Sequence, residues 1–66
     1  SSNAELNRVR TTKRQVLHNT RHKIQTATGK TLIKLQHGEA PEESERLQMD
    51  YNEAMLKLNQ ELYDLA

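Results

Sequence analysis

The side chains of this 66-residue chain that come closest to a chemical motif are two histidines. His18 and His22 are four residues apart, which places both imidazoles on one side of a helix, the spacing of many metal-binding pairs. No third ligand lies near them in the sequence, and they fall off the main apolar stripe of their predicted helix. We therefore interpret them as solvated side chains and predict no metal site.

A second short motif is Gly29-Lys30-Thr31, which resembles the end of a phosphate-binding loop. The full motif needs another glycine five positions earlier, where this chain has Ile24, and a strand leading into the loop. Nucleophilic catalysis is equally unsupported, since the chain has no cysteine and its only serine beyond the first two positions is Ser44. We predict no catalytic residue, no cofactor and no enzymatic activity.

One clear break divides the chain into two helices. Gly38 suits the position just after a helix end, where we expect it to adopt a left-handed backbone, and Pro41 suits the first turn of the next helix. We predict helix 1 at about 4–37, a turn at 38–40 and helix 2 at about 41–66. So short a connection makes the helices antiparallel. The predicted fold is all-α, a two-helix antiparallel hairpin or coiled coil, which could dimerise into a four-helix arrangement.

Apolar residues at spacings of three and four mark the packed side of each helix. In helix 2 they are Leu47, Tyr51, Ala54, Met55, Leu58, Leu62 and Leu65. In helix 1 they are Leu6, Val9, Leu17, Ile24, Ala27, Leu32 and Leu35. Gly29 is a weak point inside helix 1, which we expect to remain continuous. Because helix 1 is the longer, Ala66 should lie opposite residue 12, and the residues before it should overhang.

Charge is segregated between the two halves of the chain. Residues 1–38 carry eight Lys or Arg and one acid, a net charge of +7, whereas residues 39–66 carry two basic residues and eight acids, a net charge of −6. We interpret the asymmetry chiefly as attraction between the two helices. A basic helix could also contact nucleic acid, but no aromatic side chains interleave with its cations for base stacking. Nucleic acid is therefore the third hypothesis for the partner.

Helix 2 carries a second apolar line away from its packed side. Met49, Leu56 and Tyr63 are seven residues apart, and Asn52 and Asn59 lie beside them. A two-helix hairpin needs only one buried face, so a second line indicates a second contact. We predict an interface made of Met49, Leu56 and Tyr63, together with Leu6 and Val9 of the overhang. The partner would be another protein or a second copy of the chain, giving a homo-oligomer, or the rest of a larger protein.

The first four residues, Ser1 to Ala4, lack an initiator methionine and resemble a scar left by tag removal. We therefore expect residues 5–66 to form a single helical-hairpin domain, as in a segment excised from a longer protein. No apolar run is long enough for a signal peptide or a membrane span. Together with the absence of cysteine, this favours a cytoplasmic location.

The segment Asn52 to Leu65 resembles the closing helix of the antiparallel coiled-coil finger of Rho-family GTPase effectors. The apolar residues that follow Gly29, up to Ile33, are also similar to that family. The acidic-Asn-amide motif that usually follows the family's glycine is absent, since Lys30 and Thr31 stand there. The resemblance implies a hairpin that binds a GTP-loaded small GTPase. Small helical-hairpin subunits and chaperones of bacterial secretion systems share the same layout.

Overall fold

The computed structural model describes residues 2–66 and consists of two α-helices joined by a short turn. Helix α1 spans Ser2–His37 and helix α2 spans Pro41–Leu65. The helices pack against each other along a molecule that measures 57 × 16 × 10 Å. The prediction of an all-α helical hairpin is confirmed. Of the four residues interpreted as a tag remnant, Ser1 lies outside the described residues and the other three form the first turn of α1.

The seam between the helices is formed by half-buried side chains at spacings of three and four. In α1 these are Arg14, Leu17, Arg21, Ile24, Thr28, Leu32 and Leu35. In α2 they are Ser44, Leu47, Tyr51, Ala54, Met55, Leu58, Leu62 and Leu65. Within residues 2–66 no side chain is fully buried, so the hairpin has a seam but no core.

Helix α1 ends at His37, as the sequence predicts, but the left-handed residue that follows it lies one position later than expected. The Gly38 N–H donates to the Lys34 carbonyl at 2.9 Å, which is still the helical pattern. Glu39 then takes the left-handed conformation, with φ of 55°, and no glycine of the described chain has a positive φ. The prediction of a left-handed Gly38 is therefore wrong. The helix has room for one more hydrogen bond before the chain reverses.

The turn that follows is a Schellman motif with Glu39 at its left-handed position. The Ala40 N–H donates to the Leu35 carbonyl at 3.0 Å, and the Glu39 N–H donates to the Gln36 carbonyl at 3.3 Å. Ala40 has φ of −111° and ψ of 71°, outside the helical region that a following proline disfavours. Pro41 then opens α2, where its missing N–H costs no helical hydrogen bond.

The two helices differ in length, and α1 extends past the end of α2. With 36 and 25 residues they are about 54 and about 38 Å long at about 1.5 Å per residue. Thr12 and Lys13 line the same groove as Leu65, so α2 ends beside this turn of α1. Residues 2–11 precede this turn and are exposed. Across the described chain no helix is both long enough and apolar enough to cross a membrane.

Candidate functional site

The most exposed large apolar side chains lie on one line of α2. Met49 is 64% exposed, Leu56 is 72% exposed and Tyr63 is 78% exposed. Their spacing of seven places them two helical turns apart, one above the other. These three positions are the ones that the sequence predicts for an interface. The hairpin itself leaves them facing solvent.

Asn52 and Asn59 fall between these apolar residues and complete a second seam. The order Met49, Asn52, Leu56, Asn59, Tyr63 alternates spacings of three and four, the pattern by which one helix packs along another. At 3.6 residues per turn, this line lies roughly a third of a turn from the seam with α1. Helix α2 therefore carries two packing lines, and α1 occupies only one of them.

The side of α2 that holds the second seam carries no charge between residues 48 and 63, and we name it the uncharged flank. Its members are Gln48, Met49, Asn52, Met55, Leu56, Asn59, Gln60 and Tyr63. The charged residues between positions 46 and 64 lie on the other exposed side of α2, which is named the charged flank; its edge at Glu53 borders the second seam. Its members are Arg46, Asp50, Glu53, Lys57, Glu61 and Asp64. Depletion of charge is what distinguishes the centre of a protein interface from the rest of a surface.

The opposite net charges of the helices do not meet in direct ion pairs. Within residues 2–66, the only ion pair closer than 4 Å joins Lys57 Nζ to Glu53 Oε1 at 3.5 Å, and both belong to α2. Our interpretation of the charge asymmetry as pairing between the helices is therefore wrong at the level of direct contacts. The seam leaves the acidic side chains of α2 and most cations of α1 pointing to solvent.

Both asparagines of the second seam are oriented by hydrogen bonds. Gln48 Nε2 donates to Asn52 Oδ1 at 3.0 Å within α2. Arg21 Nη1 donates to Asn59 Oδ1 at 3.0 Å, from one helix to the other. Each of these oxygens has a second lone pair, and each asparagine has two N–H donors. The amides are thus held in place with hydrogen-bonding capacity left for a partner.

The two histidines of the candidate metal pair are not arranged as a ligand set. Arg21 Nη2 lies 2.8 Å from His18 Nδ1. Because a guanidinium only donates, His18 Nδ1 must accept, which places the ring proton on Nε2. Binding a metal through either nitrogen of His18 would require breaking this bond or moving the proton. Within residues 2–66, no group of three His, Cys, Asp or Glu side chains is close enough to hold a metal ion.

The two remaining predicted interface residues, Leu6 and Val9, lie on the overhang of α1. Leu6 is 56% exposed and Val9 is 51% exposed. Val9 lines a shallow surface notch formed only by residues of α1, among them Arg8 and Lys13. Leu6 and Val9 therefore form a second apolar patch, separate from the line on α2.

The sequence analysis does not predict the role of Arg21, which enters it only as one of the eight basic residues of the first half of the chain. Its signal is the spacing of Arg14, Arg21 and Thr28, polar residues seven apart at seam positions. Comparison of the chain with protein-family models, with curated proteins and with solved structures found no match. The resemblance to the Rho-effector finger stays a prediction.

Proposed function

We propose that this hairpin is a non-catalytic protein–protein interaction or assembly module that binds through the second seam of α2. The observation that carries the proposal is that Met49, Leu56 and Tyr63 are exposed on a regular line, although no side chain of residues 2–66 is buried. A chain of this size is marginally stable when it folds alone. Covering the second seam would bury apolar surface that the hairpin alone leaves exposed to solvent.

The gain from covering this line is substantial relative to the stability of a small domain. Taking a leucine or methionine side chain from full exposure to full burial contributes about 1.5–3 kcal/mol. Natural domains are stable by only about 5–15 kcal/mol in total. Burial of the second seam would therefore add stability equal to a large fraction of that total. The uncharged flank adds no cost of burying an ion.

The overhang supplies a smaller, second contact. Leu6 and Val9 belong to the part of α1 that extends beyond α2, so the same chain cannot cover them there. Their neighbours Arg8 and Lys13 are basic. Glu5 lines the same notch, so a partner that covers this patch would present apolar side chains bordered by charges of both signs.

The proposal is tested by changing Leu56 and Tyr63 together to lysine. The double variant should remain helical by circular dichroism but lose association in size-exclusion chromatography with light scattering. The matched control is Asp50→Asn with Glu61→Gln, which adds the same two units of positive charge on the charged flank. Association should survive in the control. Equal behaviour of the two double variants would contradict the proposed surface.

A further inference from the structure

We propose that the occupant of the second seam is a second copy of the chain, with the two α2 helices side by side and parallel about a two-fold axis. This inference rests on the proposed function and names its partner and orientation. The seam consists of Met49, Asn52, Leu56, Asn59 and Tyr63. The argument depends on which side chains would meet in each possible orientation.

Parallel pairing matches every layer of the seam with itself. Leu56, Met49 and Tyr63 each meet the same residue of the other copy, and so does each asparagine. A pair of asparagine amides can exchange hydrogen bonds across the axis, the device by which coiled coils fix register and oligomeric state. The Asn52 and Asn59 oxygens already accept one bond each and can accept a second.

Antiparallel pairing of the same seam sets unlike residues against each other. With alternating spacings of three and four, the layers then place Leu56 against Asn52 or Asn59 of the other helix. Each asparagine amide would then keep only the bond it accepts within the hairpin, and an apolar side chain would cover its N–H donors. An unsatisfied buried polar group costs about 1–3 kcal/mol. Antiparallel pairing would repeat that cost in each layer.

Charge repulsion at one end of the seam disfavours the parallel dimer, but it is weaker than the cost of unpaired asparagine groups. Toward the turn, the same line continues with Glu42 and Glu45, which would approach their counterparts only in the parallel dimer. Both are exposed at the end of the contact, where interactions between charges are worth about 0–1 kcal/mol. The asparagine layers therefore decide the orientation, and the acidic ends separate the helices before Gln48.

Positions beside the seam are compatible with self-pairing. In a parallel pair, Gln48 lies near Glu53 of the other copy, and Met55 lies near Gln60 of the other copy. Neither pair places like charges together. A flank without net charge can meet itself across a two-fold axis, whereas a flank of one sign would repel its own copy.

The absence of cysteine from the chain makes disulfide trapping a direct test. Met49→Cys and Tyr63→Cys are made as separate single variants, and Asn52→Cys is added because it keeps all three apolar side chains. Parallel pairing brings each position next to itself, within the 4.4–6.8 Å Cα separation that disulfides require. Under mild oxidation, most of each variant should become covalent dimer. Lys57→Cys on the charged flank is the control and should remain uncrosslinked.

The alternative results separate this inference from the proposed function. Positions 52 and 63 share a layer when Leu56 faces Asn59 of an antiparallel partner. Cross-linking of a mixture of Asn52→Cys and Tyr63→Cys, when neither does so alone, would therefore overturn the parallel orientation and leave the assembly role standing. Yields equal to the Lys57→Cys control in all variants would overturn the second copy as occupant. If the wild-type chain also proved monomeric and stably folded on its own, the proposed function would fail as well.

Discussion

Arg21 Nη1 and Asn59 Oδ1 lie 3.0 Å apart and join the two helices across 38 positions of sequence. The same guanidinium contacts His18 Nδ1 at 2.8 Å, so one arginine connects α2 to two turns of α1. The bond also fixes the register of the hairpin. Leu58, which precedes Asn59, therefore lies close to the turn of α1 that contains Arg21.

Arg21→Ala should destabilise the hairpin by about 1 kcal/mol, since a hydrogen bond at a solvent-exposed site contributes about 0.5–1.5 kcal/mol. Asn59→Ala should have a similar effect, and the two together should cost less than the sum of the single changes. Urea unfolding of all three variants measures the coupling. Gln15→Ala, which removes a bond within α1, is the control. Strictly additive effects would mean that the Arg21–Asn59 bond contributes nothing to stability.

Glu39→Gly should stabilise the turn, because Glu39 has φ of 55° and a left-handed non-glycine residue costs roughly 1–2 kcal/mol. Gly38→Ala should be tolerated, since a Cβ there would meet the Lys34 carbonyl at 3.4 Å and the Leu35 carbonyl at 3.8 Å, which are ordinary contacts. Thermal melting of both variants gives the comparison. A loss of stability in Glu39→Gly, or a severe loss in Gly38→Ala, would place the left-handed residue at position 38 after all.

Gly29→Ala should stabilise α1 by about 1 kcal/mol, the difference in helix propensity between the two residues. Gly29 is inside a continuous helix, and nothing lies within 4 Å of the position that its Cβ would take. A rise in the unfolding midpoint would confirm this. Destabilisation would show that the space at Gly29 is filled in solution, for example by a second chain.

Leu58→Ala and Leu56→Ala form a matched pair, because they remove the same atoms two positions apart. Leu58 is half-buried in the seam with α1, so its truncation should lower the free energy of unfolding by less than the roughly 2–5 kcal/mol of a fully buried leucine. This loss should be the same at every protein concentration. Leu56 is exposed within the hairpin, so its truncation should matter only where chains associate. Melting curves at low and high concentration distinguish the two. Identical concentration dependence for both variants would contradict the assignment of separate seams.

The sequence was sufficient to predict the fold because its two strongest structural signals are local. Pro41 and the spacing of leucines along α2 determine where the second helix begins and which side packs. The end of α1 at His37 was predictable, but the residue that takes the left-handed conformation was not, since that choice depends on hydrogen bonds to Leu35 and Gln36. Sequence preference alone favours glycine at the left-handed position.

The candidate interface was visible in the sequence only in part. Met49, Leu56 and Tyr63 stand out by their spacing of seven, whereas Arg21 does not, because a cation at a seam position gives no apolar signal. Its contact with Asn59 depends on the register between two helices that are far apart in sequence. The absence of ion pairs between the helices could not be inferred either, since net charge does not specify which side chains touch.

The most direct test of the central claim, that the hairpin buries its second seam against another chain, is sedimentation equilibrium of the wild-type protein over a wide concentration range. A chain of 7.7 kDa should approach twice that mass as concentration rises, with the melting temperature rising in parallel because association stabilises the folded state. A species of 7.7 kDa that stays fully helical and melts at the same temperature at every concentration would contradict the claim.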